Sequence, residues 1–313
     1  MDEGRNDRRS ETPSARSDAQ GTKPVLAALM LVLALPGMAA AEDRWITVSS
    51  GIELHVVDEG EGRPLVLVPG WTFSSEIFAA QVAAFSGDWR VIAIDPRSQG
   101  RSTVTVEGND YVTHAEDLTT VLERLEVERP VLVGWSFGCL TTWGYARQNG
   151  LDSVAGHVCI DVSPLTLSDD PADWTEGGLR DIAGAYHTFL RTDSGQRAFV
   201  GWYADEVMVE RHLTAEEMDW IVEQSLQTPH WAAAALFASG MFMDMRETAA
   251  SLDEAVPTMH VIAEHWQDQA VPFVERTTPH ARIEVMGGHM MFWEHPEAFN
   301  AVLADFLASI PAE

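Results

Sequence analysis

Five short stretches of this chain are apolar with little or no alternation: Leu65-Val66-Leu67-Val68, Val91-Ile92-Ala93-Ile94, Val131-Leu132-Val133, Val158-Cys159-Ile160 and Met259-His260-Val261-Ile262. Runs of this kind suit strands buried on both faces, as in a parallel sheet covered by helices. A sixth strand is expected at 281–285. Ahead of them, the β-branched stretches 45–48 and 52–57 flank Ser50-Gly51 and predict a hairpin. Helical spacing fills the intervals at 75–85, 111–125, 137–147 and 296–307. Strand and helix alternate, so the pattern predicts a doubly wound, mostly parallel α/β sheet, whose ligands bind at the carboxyl ends of the strands.

Two regions break that alternation. Between about 164 and 255 the buried-strand signal disappears and helical spacing takes over, dense in Trp, Tyr, Phe and Met. This segment is expected to be a helical lid over the sheet, with most of its large side chains packed as lid core and a minority facing a pocket. At the other end, residues 1–21 are polar, 24–35 almost wholly apolar, and Ala39-Ala40-Ala41 offers the small residues of a signal-peptidase site. The apolar run is short for a membrane span, so 1–41 reads as a leader with a cleaved signal peptide and 42–313 as the folded domain. A secreted or periplasmic location follows, with no stable membrane anchor after cleavage.

Composition narrows the partners. The 313 residues carry a formal net charge of -28, which disfavours nucleic acid and anionic lipid surfaces, and are 46% hydrophobic, enough for a large core. Cys139 and Cys159 are too few for a disulfide framework, and each falls in an apolar run. Buried free thiols are the expected state, although an exported protein could oxidise the two if they face one another.

The chemistry centres on Gly134-Trp135-Ser136-Phe137-Gly138. A G-x-S-x-G sequence after a short strand and before a helix is the nucleophile-elbow pattern, which lifts a serine hydroxyl to the tip of a sharp turn. Such a turn needs small residues on either side and tolerates strain at the serine. With Pro69-Gly70-Trp71 after an early strand, Asp95-Pro96-Arg97-Ser98-Gln99-Gly100-Arg101-Ser102 after the next, Asp268-Gln269-Ala270-Val271-Pro272 and Gly287-Gly288-His289 near the end, the chain resembles the α/β-hydrolase superfamily. It is similar to the lid-bearing serine esterases, lactonases and non-heme chloroperoxidase-like proteins of that superfamily, over about residues 45–310.

That resemblance implies a triad in the chain order serine, acid, histidine. Ser136 is the expected nucleophile and His289 the base; His265, His280 and His295 are nearby competitors expected to be surface or packing residues. Asp268 is the expected acid, on its likeness to the acid-bearing loop of the family. The segment before it departs from the usual form, carrying the bulky His265-Trp266 pair and one extra residue, so Glu264 stands as an alternative; Asp161, ending the strand after the elbow helix, is a third candidate because some members of the superfamily place the acid there. The backbone N–H groups of Trp71 and Phe137 are the expected oxyanion donors, each worth about 3 kcal/mol. Relatives usually carry His-Gly where this chain has Pro69-Gly70, which puts the support of that loop in question. The Asp95–Ser102 turn is expected to brace loops under the site.

Three functions fit this reading. The first is hydrolysis of a small, uncharged, apolar ester or lactone through an acyl-enzyme. The second keeps the triad for perhydrolysis or C–C bond hydrolysis, and the third is ligand binding without catalysis. No metal-ligand spacing and no G-x-G-x-x-G after a strand is present in the sequence, so neither metal nor cofactor is expected. A serine at the elbow argues against dehalogenase and epoxide-hydrolase chemistry, whose members of the superfamily use aspartate there.

Overall fold

A computed structural model describes residues 42–311; the expected leader, 1–41, lies outside the described residues. Strands β1 (Glu42–Ser49) and β2 (Ile52–Glu59) form the expected hairpin, turning at Gly51 with φ 77°. They extend a sheet that continues through β3 (Pro64–Val68), β4 (Arg90–Ile94), β5 (Val131–Trp135), β6 (Gly156–Ile160), β7 (Thr258–Ile262) and β8 (Arg282–Val285). The order across the sheet is β1-β2-β4-β3-β5-β6-β7-β8, with β2 antiparallel to both of its neighbours and every pairing from β4 to β8 parallel. β5 sits in the middle. Its end is therefore sheltered on both sides.

Alternate residues of each inner strand enter different cores. Leu65 and Leu67 join one apolar cluster with α1 (Ala79–Phe85), whereas Val66 and Val68 join another with α2 (Tyr111–Arg124) and α3 (Gly138–Asn149). Both faces are thus covered, which explains why these strands show no hydrophobic alternation. α2 starts where the Asp110 side chain accepts from the backbone N–H groups of Val112 and Thr113.

Between β6 and β7 the chain leaves the sheet. It runs without helix or strand to Leu179, then forms α4 (Leu179–Thr188), α5 (Asp193–Tyr203), a π-helical turn at Ala204–Met208, α6 (Ala215–Leu226), α7 (His230–Met241) and α8 (Arg246–Ala255). A reciprocal capping box between Thr214 and Glu217 sets the start of α6. α9 (Gln267–Thr277) packs Ala270, Phe273 and Val274 beside β7. Beyond β8, the short α10 (Met291–Glu294) leads into α11 (Pro296–Ser309), which packs Phe299, Leu303 and Phe306 beside α1.

One expectation about the core is overturned. Cys139 and Cys159 are joined as a disulfide, with Cα atoms 5.6 Å apart, and neither is a free thiol. The sheet register explains the meeting: Gly134 on β5 pairs with Cys159 on β6, and a side chain at Gly134 would lie 2.6 Å from the Cys139 nitrogen. The glycine leaves room for α3 to bring Cys139 down onto its partner.

Candidate active site

Ser136 follows the last residue of β5 and adopts φ 51°, a left-handed conformation that costs a non-glycine residue energy and persists only when the surroundings enforce it. The enforcement is visible. The Ser136 N–H donates to the Ile160 carbonyl at 2.7 Å, and the Ser136 carbonyl accepts from the Cys139 N–H at 2.8 Å. A side chain at Gly138 would collide with the backbone of Val68 and Pro69, so that glycine is required for α3 to pass so close to β3.

The register that pairs Trp135 with Ile160 also sets Asp161 beside the elbow, at the end of β6. Asp161 is buried, likewise left-handed (φ 54°), and held at both oxygens: Oδ1 accepts from the Ala263 N–H at 2.8 Å and Oδ2 lies 2.6 Å from His289 Nδ1. Asp268 does not reach the histidine. The loop after β7 is short, so a 3₁₀ turn at Glu264–Trp266 leads straight into α9 and sets Asp268 in its exposed first turn, along a surface groove with Val271 and Val285. Glu264 is also exposed and engages the histidine loop through its backbone, its N–H donating to Gly287 O at 2.9 Å. Among the three carboxylates weighed from the sequence, Asp161 meets His289. The sequence carried one hint of this, an aspartate directly after the buried strand that follows the elbow helix.

His289 is buried in the loop after β8, which turns at Gly287 with φ 59°. The helical insertion pins that loop: the N–H groups of His289 and Met290 donate to Val207 and Met208 at 3.1 and 2.7 Å. Trp135 fixes it from the elbow side, its indole N–H donating to the His289 carbonyl at 2.8 Å and its ring lying 5.4 Å from the imidazole. With Nδ1–H given to Asp161, Nε2 carries the imidazole lone pair. His265, His280 and His295 are all exposed.

The loop carrying Trp71 abuts Ser136; a side chain at Gly70 would lie 3.0 Å from Ser136 Cβ. Neither the Trp71 nor the Phe137 backbone N–H has a hydrogen-bond partner among the described residues. The support that the sequence left in question comes from Gln99, whose amide donates to the Gly70 and Phe73 carbonyls at 3.1 and 2.7 Å. From the insertion, Ala233 O accepts from the Trp71 indole at 2.8 Å and Ser225 Oγ meets Thr72 Oγ1 at 2.7 Å. The Asp95 turn forms a second brace beneath. Asp95 accepts from the Ser75 and Arg101 N–H groups at 2.7 and 2.8 Å, and Arg97 makes a two-pronged ion pair with Asp117.

Ser136 opens into a cavity of about 460 Å³ lined mainly by apolar side chains, among them Trp71, Phe137, Phe199, Phe237 and Met241. Most of its wall comes from the helical insertion. Two acids lie on that wall, the exposed Asp181 and the half-buried Glu176. Burial pushes the Glu176 carboxyl up to about 7; Asp161 reinforces the shift, while His289 and a backbone N–H oppose it. Nothing in the sequence pattern pointed to this residue, because it stands in the irregular stretch before α4.

One other set of side chains among the described residues comes close enough to share a cation: Glu210, Glu294 and His295. Its central member is already engaged, both Glu294 oxygens accepting backbone N–H groups from Glu210 and Arg211 at 2.9 and 3.2 Å.

The fold and this arrangement at the end of β5 define a class. Residues 65–302 match the family model described as "Alpha/beta hydrolase family", and the chain belongs to that family. It is 34% identical over 281 residues to a non-heme haloperoxidase from Rhodococcus erythropolis, covering 85% of this chain and 99% of the relative. Among solved structures, a bromoperoxidase from Bacillus anthracis superimposes with a TM-score of 0.77 at 21% identity, covering 86% of this chain and all of that one. An esterase from Exiguobacterium antarcticum gives 0.76, also at 21% identity, over 85% of this chain and 99% of that one.

Proposed function

We propose that this protein is a serine hydrolase that cleaves small, uncharged carboxylic esters, lactones among them, through an acyl-enzyme. The observation that carries the proposal is the buried Asp161–His289 pair beside a strained Ser136 that faces an apolar cavity. In this reading Ser136 Oγ attacks the ester carbonyl as His289 Nε2 takes its proton. Asp161 holds the ring and stabilises the imidazolium. The Trp71 and Phe137 N–H groups take the charge that develops on the carbonyl oxygen. The C–O bond to the alcohol then breaks, and the imidazolium returns the proton to the departing oxygen. Water, deprotonated by His289, attacks the acyl-enzyme and releases the acid and Ser136. Lactones undergo the same addition, the leaving oxygen staying tethered to the acyl group.

Replacing Ser136 with alanine is expected to abolish turnover of p-nitrophenyl butyrate and labelling by a fluorophosphonate probe, with an unchanged circular dichroism spectrum. Retained turnover would refute the nucleophile. Failure of the folded wild-type protein to label would favour a binding protein on this scaffold.

The 34% identical haloperoxidase supports a second reading, perhydrolysis. Hydrogen peroxide in place of water would release a peracid from the same acyl-enzyme. Peroxide- and acetate-dependent bromination, compared with ester hydrolysis on one preparation, separates the two. Export is proposed on the apolar segment ahead of Ala41 and on the Cys139–Cys159 disulfide, a bond that persists in oxidising compartments. The mass of the protein recovered from the cell exterior would identify the cleavage site.

A further inference from the structure

Glu176 is an unusual presence on an apolar wall. Its backbone is fixed, the N–H donating to Thr166 O at 3.0 Å, and it follows the fully buried Trp174 by two residues. One carboxyl oxygen accepts a long bond of 3.4 Å from the Ser163 N–H; the other has no hydrogen-bond partner among the described residues. Of the other polar groups of the cavity, the Tyr203 hydroxyl lies near Glu176 and has no hydrogen-bond partner among the described residues, and the rest are committed elsewhere. The Trp71 indole is bonded to Ala233 O, and Arg180 and Asp181 are exposed to solvent. Glu176 lies instead towards the catalytic end, close enough to feel the charges of both Asp161 and His289.

We propose that Glu176 is a specificity-determining residue of this site: its carboxyl donates a hydrogen bond to a neutral acceptor oxygen that the substrate carries beyond the scissile carbonyl. The inference rests on the hydrolase reading above and names its substrate class, esters bearing an ether, ring or amide oxygen in preference to plain alkyl esters. The donor is available because withdrawal of the carboxyl from water, aided by Asp161, outweighs the opposing His289 charge and raises the carboxyl pKa to about 7. Above that pH the ionised group has no proton to give and repels the same oxygen. A purely structural glutamate would impose no such dependence on substrate.

The test uses matched pairs of nearly equal shape: p-nitrophenyl methoxyacetate against p-nitrophenyl butyrate for the acyl side, and 2-methoxyethyl butyrate against butyl butyrate for the alcohol side. Each rate is divided by the rate of hydroxide-catalysed hydrolysis. For the wild-type protein at pH 6, one pair should favour the ether in kcat/KM by about five- to tenfold, the range expected of one hydrogen bond and expressed mainly in KM. The preference should decline above pH 7. Glu176→Gln, whose amide donates at every pH, should keep it without the decline, and Glu176→Leu should lose it while still turning over the alkyl esters. Equal ratios in wild type and Glu176→Leu for both pairs would overturn the inference and leave the hydrolase reading intact. Absence of any Ser136-dependent turnover would overturn both. A preference for butyrylcholine over 3,3-dimethylbutyl butyrate that Glu176→Gln abolishes would also overturn it, by assigning an ionised Glu176 to a cation.

Discussion

Asp161 and His289, 128 residues apart in the chain, meet at 2.6 Å, and the other oxygen of the same carboxyl is fixed by the Ala263 N–H. The acid is therefore held from two sides before any substrate arrives. Asp161→Asn should lower kcat for p-nitrophenyl butyrate by about 10³- to 10⁴-fold, because an amide can no longer orient and stabilise the imidazolium. Asp268→Asn, at an exposed position in α9, should leave kcat within about twofold. Steady-state kinetics on the two variants, with thermal melts to establish folding, decide between the acids; a large loss in Asp268→Asn alone would reverse the assignment.

The disulfide ties α3, which begins at the elbow, to β6, which ends just before Asp161. Closing a loop with a sequence separation of 20 is expected to stabilise the fold by about 3 kcal/mol, chiefly by restricting the unfolded chain. Urea unfolding with and without a phosphine reductant should therefore show a lower midpoint for the reduced protein. Both sulfurs are buried, so reduction of the folded protein should be slow.

Acid should destabilise the fold above the usual carboxylate range. Burial lowers His114 and His260 to about 4 and His157 to about 3, while each accepts a proton near 6.5 when unfolded. Between those values the unfolded chain binds more protons, so stability falls as pH drops from 6.5 towards 4. Glu176 acts in the opposite direction between 4.5 and 7, the folded state keeping a proton that the unfolded state releases. Three histidines outweigh one glutamate, so the net slope is a loss on acidification. Glu176→Gln should steepen it. Urea midpoints from pH 7 to pH 4.5 for the two proteins measure both effects, and equal slopes would refute the Glu176 contribution.

The parts of this fold that were legible in the sequence are those whose signal is local. Unbroken apolar runs mark strands buried on both faces, and Ser50-Gly51 marks a hairpin. The elbow and the His289 loop were legible for the same reason, each being a short glycine-containing turn after a strand. Asp161 was harder to identify, since its meeting with His289 depends on strand order and on how far the loop after β7 runs before α9 begins. Asp268 has the more family-like neighbours but stands in the exposed first turn of α9. Likewise the cysteines meet only because Gly134 stands in register with Cys159, a relation across strands. Gln99 and Glu176 stayed hidden because neither belongs to a periodic pattern; one braces a loop from beneath and the other enters the cavity from an irregular stretch.

The pinning of the His289 loop by Trp135 and by Val207 and Met208 bears on the order in which this protein is made. On the proposed reading its nucleophile follows the fifth strand, its acid the sixth, and its base arrives only after the eighth. A chain still on the ribosome, or one clipped before β8, holds a serine with nothing to take its proton. On that reading, esterolytic competence would be a property of the completed sheet, and the cell that synthesises this protein would be spared a reactive hydroxyl until the last strand has found its place.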